Sequence, residues 1–311
     1  MAPALPQGHS FSDAQWGRDD KLVLELSPMN RATLAGVSVG DGLEVAVVGA
    51  LNVSPESFYS GSVVTDADRL LHAAEATARA GAAWLDVGAM STAPYLEARI
   101  PEAQEADRLR WAVGLLTSKL DLPVCADTRR ALPARAALES GARLLNDVSG
   151  LADPAMARLA AEAGVGLVLM ASPAAAVPAA DPVETVRAAL AASLAKARAA
   201  GVPDDRILVD PGIGFFRDEA IAWPEWDCRV LAGLPALRAL GRPLYVGVSR
   251  KSFIGALADV PDAGDRLSGS LAATAAAVLG GAHVIRAHDV AETVQAVRVA
   301  HAIARARSED A

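Results

Sequence analysis

Short apolar runs alternate with longer amphipathic stretches along most of the chain. Eight such runs follow residue 40, and their apolar residues mostly succeed one another without a regular polar alternation. This pattern is typical of parallel β-strands that are buried on both faces. The predicted strands are Val45–Leu51, Ala83–Val87, Pro123–Ala126, Arg143–Leu145, Gly166–Met170, Ile207–Val209, Leu244–Val248 and His283–Arg286.

A helical pattern of apolar residues follows each predicted strand. Eight strand–helix units in roughly 260 residues predict an α/β fold, the (β/α)₈ or TIM barrel. The alternative is a doubly wound open sheet, which is typical of fewer strands and a glycine-rich nucleotide turn. The predicted helices are Thr65–Ala80, Glu102–Lys119, Arg130–Ser140, Asp153–Ala163, Val183–Ala200, Glu225–Leu240, Gly264–Leu279 and Val290–Ala306.

The segment before the barrel has the pattern of a β-hairpin. Leu22–Leu26 and Ala32–Val39 are predicted strands, and Pro28-Met29-Asn30 between them predicts the turn. We expect this hairpin (22–42) to close the bottom of a barrel formed by residues 43–306. We also expect residues 1–20 to be a flexible tail and residues 21–311 to form a single domain, because no linker interrupts the pattern.

Composition and charge narrow the possible partners. The chain has 311 residues, 52% of them hydrophobic, and a formal net charge of −8. We therefore expect neither nucleic acid nor a membrane surface as a partner, and an anionic substrate would need a local cluster of cations. No apolar run reaches the roughly 18 residues of a membrane span. The N-terminus lacks the order of a signal peptide, and the two cysteines have no metal-ligand spacing, which predicts a cytoplasmic protein.

Polar residues stand where most of the predicted strands end. The carboxyl ends of barrel strands converge on one mouth, where catalytic residues of such barrels lie. Carboxylates and amides suit a flat heterocycle with donors and acceptors, and cations suit an anion. Only the fifth strand, ending at residues 170–172, offers little. The strand-end residues are Asn52, Asp86, Asp127, Asn146, Asp210, Ser249, Lys251, Arg286 and His288.

Each of these residues also has a purely structural interpretation. Asp127 and Asn146 precede predicted helices and could be N-caps. Residues 210–212 (Asp-Pro-Gly) could form a turn, and Lys251 could be a solvated charge. Because seven of the eight strands end in a carboxylate, amide or cation, a common site is the better interpretation.

Six ordered segments stand at the ends of predicted strands: Leu51–Phe58 (LNVSPESF), Asp127–Arg129 (DTR), Asn146–Gly150 (NDVSG), Asp210–Phe215 (DPGIGF), Gly247–Gly255 (GVSRKSFIG) and Arg286–Val290 (RAHDV). Together they resemble the dihydropteroate synthases of the pterin-binding barrel family. The resemblance covers nearly all of residues 43–305.

The resemblance implies a reaction and a role for each matching residue. Such enzymes join 6-hydroxymethyl-7,8-dihydropterin diphosphate to an arylamine, with Mg²⁺ present, and release pyrophosphate. A homodimer built from the late helices is also implied. Carried over by position, the pterin-binding residues would be Asp127, Asn146, Asp210 and Lys251; the diphosphate-binding residues Asn52, Arg286 and His288; the magnesium ligand Asn52; the arylamine-side residues Thr92 and Ser249; and the catalytic residues Lys251, Asp127 and Arg286.

The chain departs from the family pattern in its loops. Tyr59–Ser62 replaces Ser-Asp-Gly-Gly, and Gly88–Tyr95 places Ala93 where the family has arginine. Residues 170–172 lack the usual histidine, and Phe216-Arg217 replaces Gly-Lys. The pterin side therefore matches, whereas the side of the second substrate is rewritten.

These departures leave three alternatives open. The first is a synthase of the tetrahydromethanopterin branch that uses a ribosyl-aminobenzene phosphate. The others are a methyltetrahydrofolate-binding methyltransferase and a non-catalytic pterin-binding paralogue. Ser249–Ser252 and Arg286–His288 suit a diphosphate, which a methyltransferase does not handle, and so favour the synthase.

Overall fold

The computed structural model of the protein describes residues 29–54, 66–91, 100–177, 179–217 and 221–309. Its strands are β1 (Arg31–Leu34), β2 (Val37–Gly40), β3 (Ala46–Asn52), β4 (Leu85–Gly88), β5 (Val124–Asp127), β6 (Leu144–Asp147), β7 (Gly166–Met170), β8 (Ile207–Asp210), β9 (Tyr245–Gly247) and β10 (Val284–Ala287). Its α-helices are α1 (Ala67–Arg79), α2 (Glu102–Lys119), α3 (Ala131–Glu139), α4 (Pro154–Ala163), α5 (Pro182–Ala199), α6 (Trp223–Ala232), α7 (Leu234–Leu237), α8 (Ser252–Ala258), α9 (Leu267–Leu279) and α10 (Val290–Glu309).

Strands β3 to β10 form a closed parallel barrel. Their order in the sheet is β8-β7-β6-β5-β4-β3-β10-β9, and each neighbouring pair is parallel. A parallel bridge between Val209 and Leu244 joins the first strand of this order to the last. The prediction of an eight-stranded (β/α)₈ barrel is confirmed, and a doubly wound open sheet is excluded because the sheet has no free edge.

The β1–β2 hairpin closes the N-terminal end of the barrel. Leu34 and Val39 of the hairpin are fully buried in one cluster with barrel residues such as Val168 and Leu208. Gly166, the first residue of β7, lies so close to Leu34 that a methyl group in its place would clash. Because the hairpin fills this end, the accessible mouth is at the C-terminal ends of the strands.

The hairpin's turn differs from the prediction. Both strands fall almost within the segment Ala32–Val39, and the turn is at Ala35-Gly36, where both residues have positive φ. The turn that we predicted at residues 28–30 is therefore wrong, since Asn30 leads directly into β1. The other predicted strand, Leu22–Leu26, and the predicted tail of residues 1–20 lie outside the described residues.

A partly buried polar cluster ties the hairpin to the barrel. The Asp41 carboxylate accepts hydrogen bonds from Arg238 Nη2 at 2.8 Å and from the Asn30 N–H at 2.8 Å, and it lies 3.0 Å from His283 Nε2. His283 Nδ1 accepts the Leu244 N–H at 2.9 Å. Burial lowers the pKa of His283, which holds the imidazole neutral.

Two predicted helices differ from the structure in more than the exact position of their ends. The predicted helix Glu225–Leu240 is divided into α6, α7 and a 3₁₀ turn, because Pro235 has no N–H to continue the helical bonding. The predicted helix Gly264–Leu279 begins only at Leu267, and α8 precedes it as a separate element. Among the described residues, we find no helix both long and apolar enough to span a membrane.

Candidate active site

One row of strand-end residues follows part of the rim of the barrel mouth. Asn52 on β3 is in register with Gly88 on β4, Gly88 with Asp127 on β5, and Asp127 with Asn146 on β6. A methyl group on Gly88 would lie 3.4 Å from Asn52 Oδ1 and 3.6 Å from Asp127 Oδ2. The missing side chain of Gly88 therefore leaves room between two oxygen-bearing groups.

Arg286 on β10 crosses the barrel to two carboxylates. Its Nε donates to Asp86 Oδ2 at 2.5 Å and its Nη2 donates to Asp127 Oδ2 at 3.0 Å. Asp86 Oδ2 also accepts from Asn146 Nδ2 at 3.2 Å. Burial by itself would lower the pKa of Arg286. The charges of the two carboxylates have the larger effect, so the pKa of Arg286 lies above the ordinary value. Asp86 is one of the strand-end residues that the sequence indicated, but the family resemblance gave it no role.

Two acceptor oxygens in this row have no hydrogen-bond partner among the described residues. Asp127 Oδ1 and Asn146 Oδ1 are buried and accept no hydrogen bond from any residue that the structure describes. Burial and the nearby charge of Asp86 raise the pKa of Asp127 to about 7, against the effect of Arg286. Buried oxygens are normally hydrogen-bonded, so these two point to a ligand that carries N–H or O–H groups.

Neither residue caps a helix. The N-cap of α3 is Arg130, which makes no side-chain cap, and the N-cap of α4 is Asp153, whose carboxylate accepts the Ala155 N–H. The structural interpretation of Asp127 and Asn146 as N-caps is therefore wrong.

Asp210 and Lys251 form the other side of the pocket. Asp210 Oδ1 accepts the Gly212 N–H at 2.8 Å, so residues 210–212 do form a turn. Burial raises the pKa of Asp210 to about 6. Burial also lowers the pKa of Lys251 to about 8, although Asp210 opposes it, and the Lys251 ammonium lies 4.5 Å from the Phe215 ring centroid. Lys251 is thus a pocket residue and not a solvated surface charge.

Ser249 and His288 lie together at the ends of β9 and β10. Ser249 Oγ is 3.0 Å from His288 Nδ1 and accepts the His288 N–H at 3.2 Å. Burial, together with the charges of Arg286, Arg250 and Lys251, lowers the pKa of His288 to about 3. Burial and the neighbouring cations thus favour the uncharged imidazole.

Arg250 is turned away from the mouth. Its guanidinium donates to both oxygens of Asp289, at 2.8 and 2.6 Å, and to the Ala263 carbonyl at 2.8 Å. The segment Ser249–Ser252 therefore contributes Ser249 and Lys251 to the mouth, whereas Arg250 holds the chain around α8.

The structure describes only some of the loop residues that differ from the family pattern. Thr92 and Ala93 lie outside the described residues, as does Tyr59–Ser62. In the loop after β8, Phe216 stacks on Trp226 with ring centroids 5.2 Å apart. Arg217 lies 4.2 Å above the Trp223 ring, and its Nη2 donates to Ser252 Oγ at 2.8 Å.

Known proteins resemble the chain throughout the barrel. Residues 48–288 match the family model of the pterin binding enzymes. A dihydropteroate synthase of Synechocystis is 35% identical over 271 residues, which cover 85% of this chain and 92% of that protein. A probable bifunctional folylpolyglutamate synthase/dihydropteroate synthase of Haloferax volcanii is 39% identical over 82% of this chain, but the match spans only 30% of that longer protein.

Solved structures agree with these relatives. A structure of the Xanthomonas albilineans dihydropteroate synthase with 4-aminobenzoic acid is 34% identical in sequence, and its TM-score is 0.78. The match covers 88% of this chain and 98% of that chain. The likeness thus extends over most of the chain.

Proposed function

Because the chain belongs to the pterin-binding enzyme family, we propose that the residues at the barrel mouth hold a dihydropterin diphosphate and an arylamine for condensation. Its activity is that of a dihydropteroate synthase, a transferase of folate biosynthesis. The observation that carries the residue assignments is the pair of buried, unpartnered oxygens Asp127 Oδ1 and Asn146 Oδ1.

The pterin ring occupies the pocket between these oxygens and Lys251. The ring edge carries N–H donors that satisfy Asp127 Oδ1 and Asn146 Oδ1. Asp210 accepts from the 2-amino group and the adjacent ring N–H, which is a fork-to-carboxylate contact. Lys251 donates to the acceptor side of the ring.

The diphosphate lies toward Asn52, Arg286 and His288. Arg286 gives its Nε and Nη2 to the two carboxylates, so its Nη1 is the donor left for a phosphate oxygen. His288 takes part as an uncharged hydrogen-bond partner, consistent with its lowered pKa. The positive charge on this side therefore comes from Arg286 and Lys251.

We propose that Mg²⁺ is held by Asn52 together with the diphosphate. The described residues contain no cluster of three or more histidine, cysteine or acidic side chains able to hold a metal. A single hard oxygen donor suits Mg²⁺ because this ion usually takes one or two protein oxygens and completes its shell with phosphates and water. When bound, it neutralises charge on the departing pyrophosphate.

The protein acts by positioning the substrates and stabilising the leaving anion. The bond between the pterin methylene carbon and the diphosphate oxygen breaks, and the ring shares the positive charge on the carbon. The amine nitrogen then forms the new C–N bond and loses a proton. No strong base is needed, because the arylamine is already an uncharged nucleophile.

The amine is p-aminobenzoate, bound on the side of Thr92 and Ser249. Support comes from the Xanthomonas synthase solved with 4-aminobenzoic acid. The Ser249 hydroxyl already contacts His288, so we assign it to holding that imidazole as well as to lining the amine side.

Pyrophosphate release tests this function. The protein is mixed with Mg²⁺ and dihydropterin diphosphate in the presence of p-aminobenzoate, of a ribosyl-aminobenzene phosphate, or of no amine. We expect release that depends on p-aminobenzoate. Faster release with the ribosylated amine would assign the tetrahydromethanopterin branch. Pterin binding without any amine-dependent release would contradict synthase activity.

We also propose that the protein is a cytoplasmic homodimer and that residues 21–311 form its single domain. Both cysteines are free, which suits a reducing compartment. Exposed apolar side chains on the late helices support the dimer, and they line two grooves, one of about 680 Å³ and one of about 430 Å³. These side chains are Leu257, Leu279, Val299 and Ile303. Sedimentation equilibrium of the wild type and of Val299→Glu tests the assembly: a monomeric wild type would contradict it.

A further inference from the structure

A buried carboxylate on α6 lies directly behind the pocket loop. The Asp227 side chain is fully buried, and its Oδ1 accepts the Gly214 N–H at 2.8 Å. Its Oδ2 is buried and has no hydrogen-bond partner among the described residues. Neither the sequence pattern nor the roles assigned above explain this residue.

The loop that Asp227 holds lies against Lys251. Gly214 has a φ of +82°, and a methyl group in its place would lie 3.0 Å from Lys251 Cδ. The next residue, Phe215, places its ring 4.5 Å from the Lys251 ammonium. The neighbour of Asp227 on α6, Trp226, stacks on Phe216, so two adjacent residues of the helix fix the same loop.

The hydrogen bond alone does not call for a carboxylate. An asparagine at position 227 could accept the Gly214 N–H equally well and would not bury a charge. Burying a carboxylate with one oxygen unpartnered costs free energy, and such costs are typical of functional sites. Burial raises the pKa of Asp227 to about 6, while the hydrogen bond from the Gly214 N–H and the charges of Lys251 and Arg217 oppose that rise.

We infer that Asp227 is a positioning residue for Lys251: it anchors the Gly214–Phe215 loop against the lysine and supplies a negative charge behind it. This inference rests on the proposed role of Lys251 in binding the pterin. The charged groups that face Lys251 are Asp210 on β8, Asp127 on β5, Arg286 on β10 and Asp227 on α6.

The two parts of the role have different signatures. Burial lowers the pKa of Lys251 to about 8, and the three carboxylates oppose that effect. Removing the charge of Asp227 therefore lowers the pKa of Lys251 further. The lysine then loses its proton at a lower pH, and the alkaline limb of kcat/KM moves in the same direction.

The test compares Asp227→Asn, Asp227→Ala and the control Glu225→Gln with the wild type in the synthase assay, from about pH 6 to about pH 10. Glu225 is an exposed carboxylate on the same helix, paired with Arg229. We expect Asp227→Asn to keep most of the neutral-pH activity but to lower the alkaline pKa by about half a unit or more. Asp227→Ala also loses the loop anchor, so we expect the KM for the pterin substrate to rise about tenfold or more. Glu225→Gln should match the wild type.

An unchanged alkaline limb in Asp227→Asn, in an active and folded protein, would overturn the inference. An inactive wild type would instead contradict the proposed function. In that case, calorimetric binding of dihydropterin over the same pH range tests the inference. A lower alkaline limit of binding in Asp227→Asn supports it, and identical pH profiles overturn it.

Discussion

Arg286 donates its Nη2 to Asp127 Oδ2 at 3.0 Å across the barrel mouth, although 159 positions separate the two residues in sequence. The same guanidinium holds Asp86, so one cation serves two buried carboxylates. Asp127 thus has one oxygen in the ion pair, and its other oxygen is buried without a hydrogen-bond partner among the described residues. In the proposed assignment, a single ion-paired group therefore joins the pterin-binding and diphosphate-binding parts of the site.

Replacing Arg286 should abolish most of the activity. Arg286→Met removes the donor to the diphosphate and leaves two carboxylates without their cation, so we expect kcat/KM to fall by roughly 10²-fold or more. Steady-state pyrophosphate release measures the loss. The control is Arg187→Met, which removes an exposed arginine on α5 that pairs with Glu184. An Arg286→Met enzyme within threefold of the wild type (about 0.6 kcal/mol) would contradict the assigned role.

The space at Gly88 should matter for activity more than for stability. In Gly88→Ala the new methyl would make ordinary contacts with Asn52 Oδ1 and Asp127 Oδ2, so the fold should tolerate it. It would occupy the room between these groups, and we expect kcat/KM to fall about tenfold or more. Gly114→Ala within α2 is the matched control, since it should stabilise the helix by up to about 1 kcal/mol and leave activity unchanged. Full activity in Gly88→Ala would show that the substrate does not use this space.

The Arg250–Asp289 pair should stabilise the fold. Arg250→Met leaves Asp289 without its bidentate partner, so we expect the free energy of unfolding to fall by roughly 3 kcal/mol. Denaturant unfolding measures this loss. In the double-mutant cycle with Asp289→Asn, the two losses should be less than additive. Strict additivity would mean that the pair contributes no coupling energy.

His283 should make stability depend on pH. Its folded-state pKa is lowered by burial, so the unfolded chain binds its proton more readily. The contribution of His283 to the free energy of unfolding is therefore complete above the unfolded pKa of about 6.5. As the pH falls below that value, the free energy of unfolding decreases by up to about 1.4 kcal/mol per pH unit. His283→Asn can still accept the Leu244 N–H but does not titrate. We expect the wild type to lose stability more steeply than this variant between about pH 7.5 and about pH 5.

The difference between the two proteins is the informative quantity in that experiment. The raised pKa values of Asp210 and Asp227 act on both proteins alike and cancel in the comparison. The lowered pKa of Asp41, about 2, keeps its carboxylate ionised over the range in the wild type. Parallel stability curves would contradict the role assigned to His283.

The barrel was predictable because its strands are continuous apolar runs with polar residues at their ends. The strand Gly166–Met170 and the helix Glu102–Lys119 have the predicted bounds. Each of the other barrel strands begins and ends within one or two residues of its predicted bounds. The hairpin turn was not predictable from pattern, because Ala35 adopts a positive φ that favours glycine, whereas residues 28–30 include the more typical turn residues proline and asparagine.

The polar residues at the strand ends also predicted where most of the site lies, but they did not predict which of these residues contact one another. Asp86 and Arg286 are 200 positions apart, and they meet only because β4 and β10 both neighbour β3 in the closed barrel. Asp227 follows no strand at all. It reaches the site because α6 packs behind the loop after β8, which no local sequence pattern specifies.

Calorimetric titration with dihydropterin, without amine or diphosphate, tests the central claim most directly. The wild type is compared with Asn146→Leu, which removes one unpartnered acceptor, and with Ser118→Ala on the outer face of α2 as the control. We predict that the wild type and Ser118→Ala bind equally and that Asn146→Leu binds about tenfold or more weakly, the loss of roughly one buried hydrogen bond. Equal binding by all three proteins would contradict the placement of the pterin ring against Asp127 and Asn146.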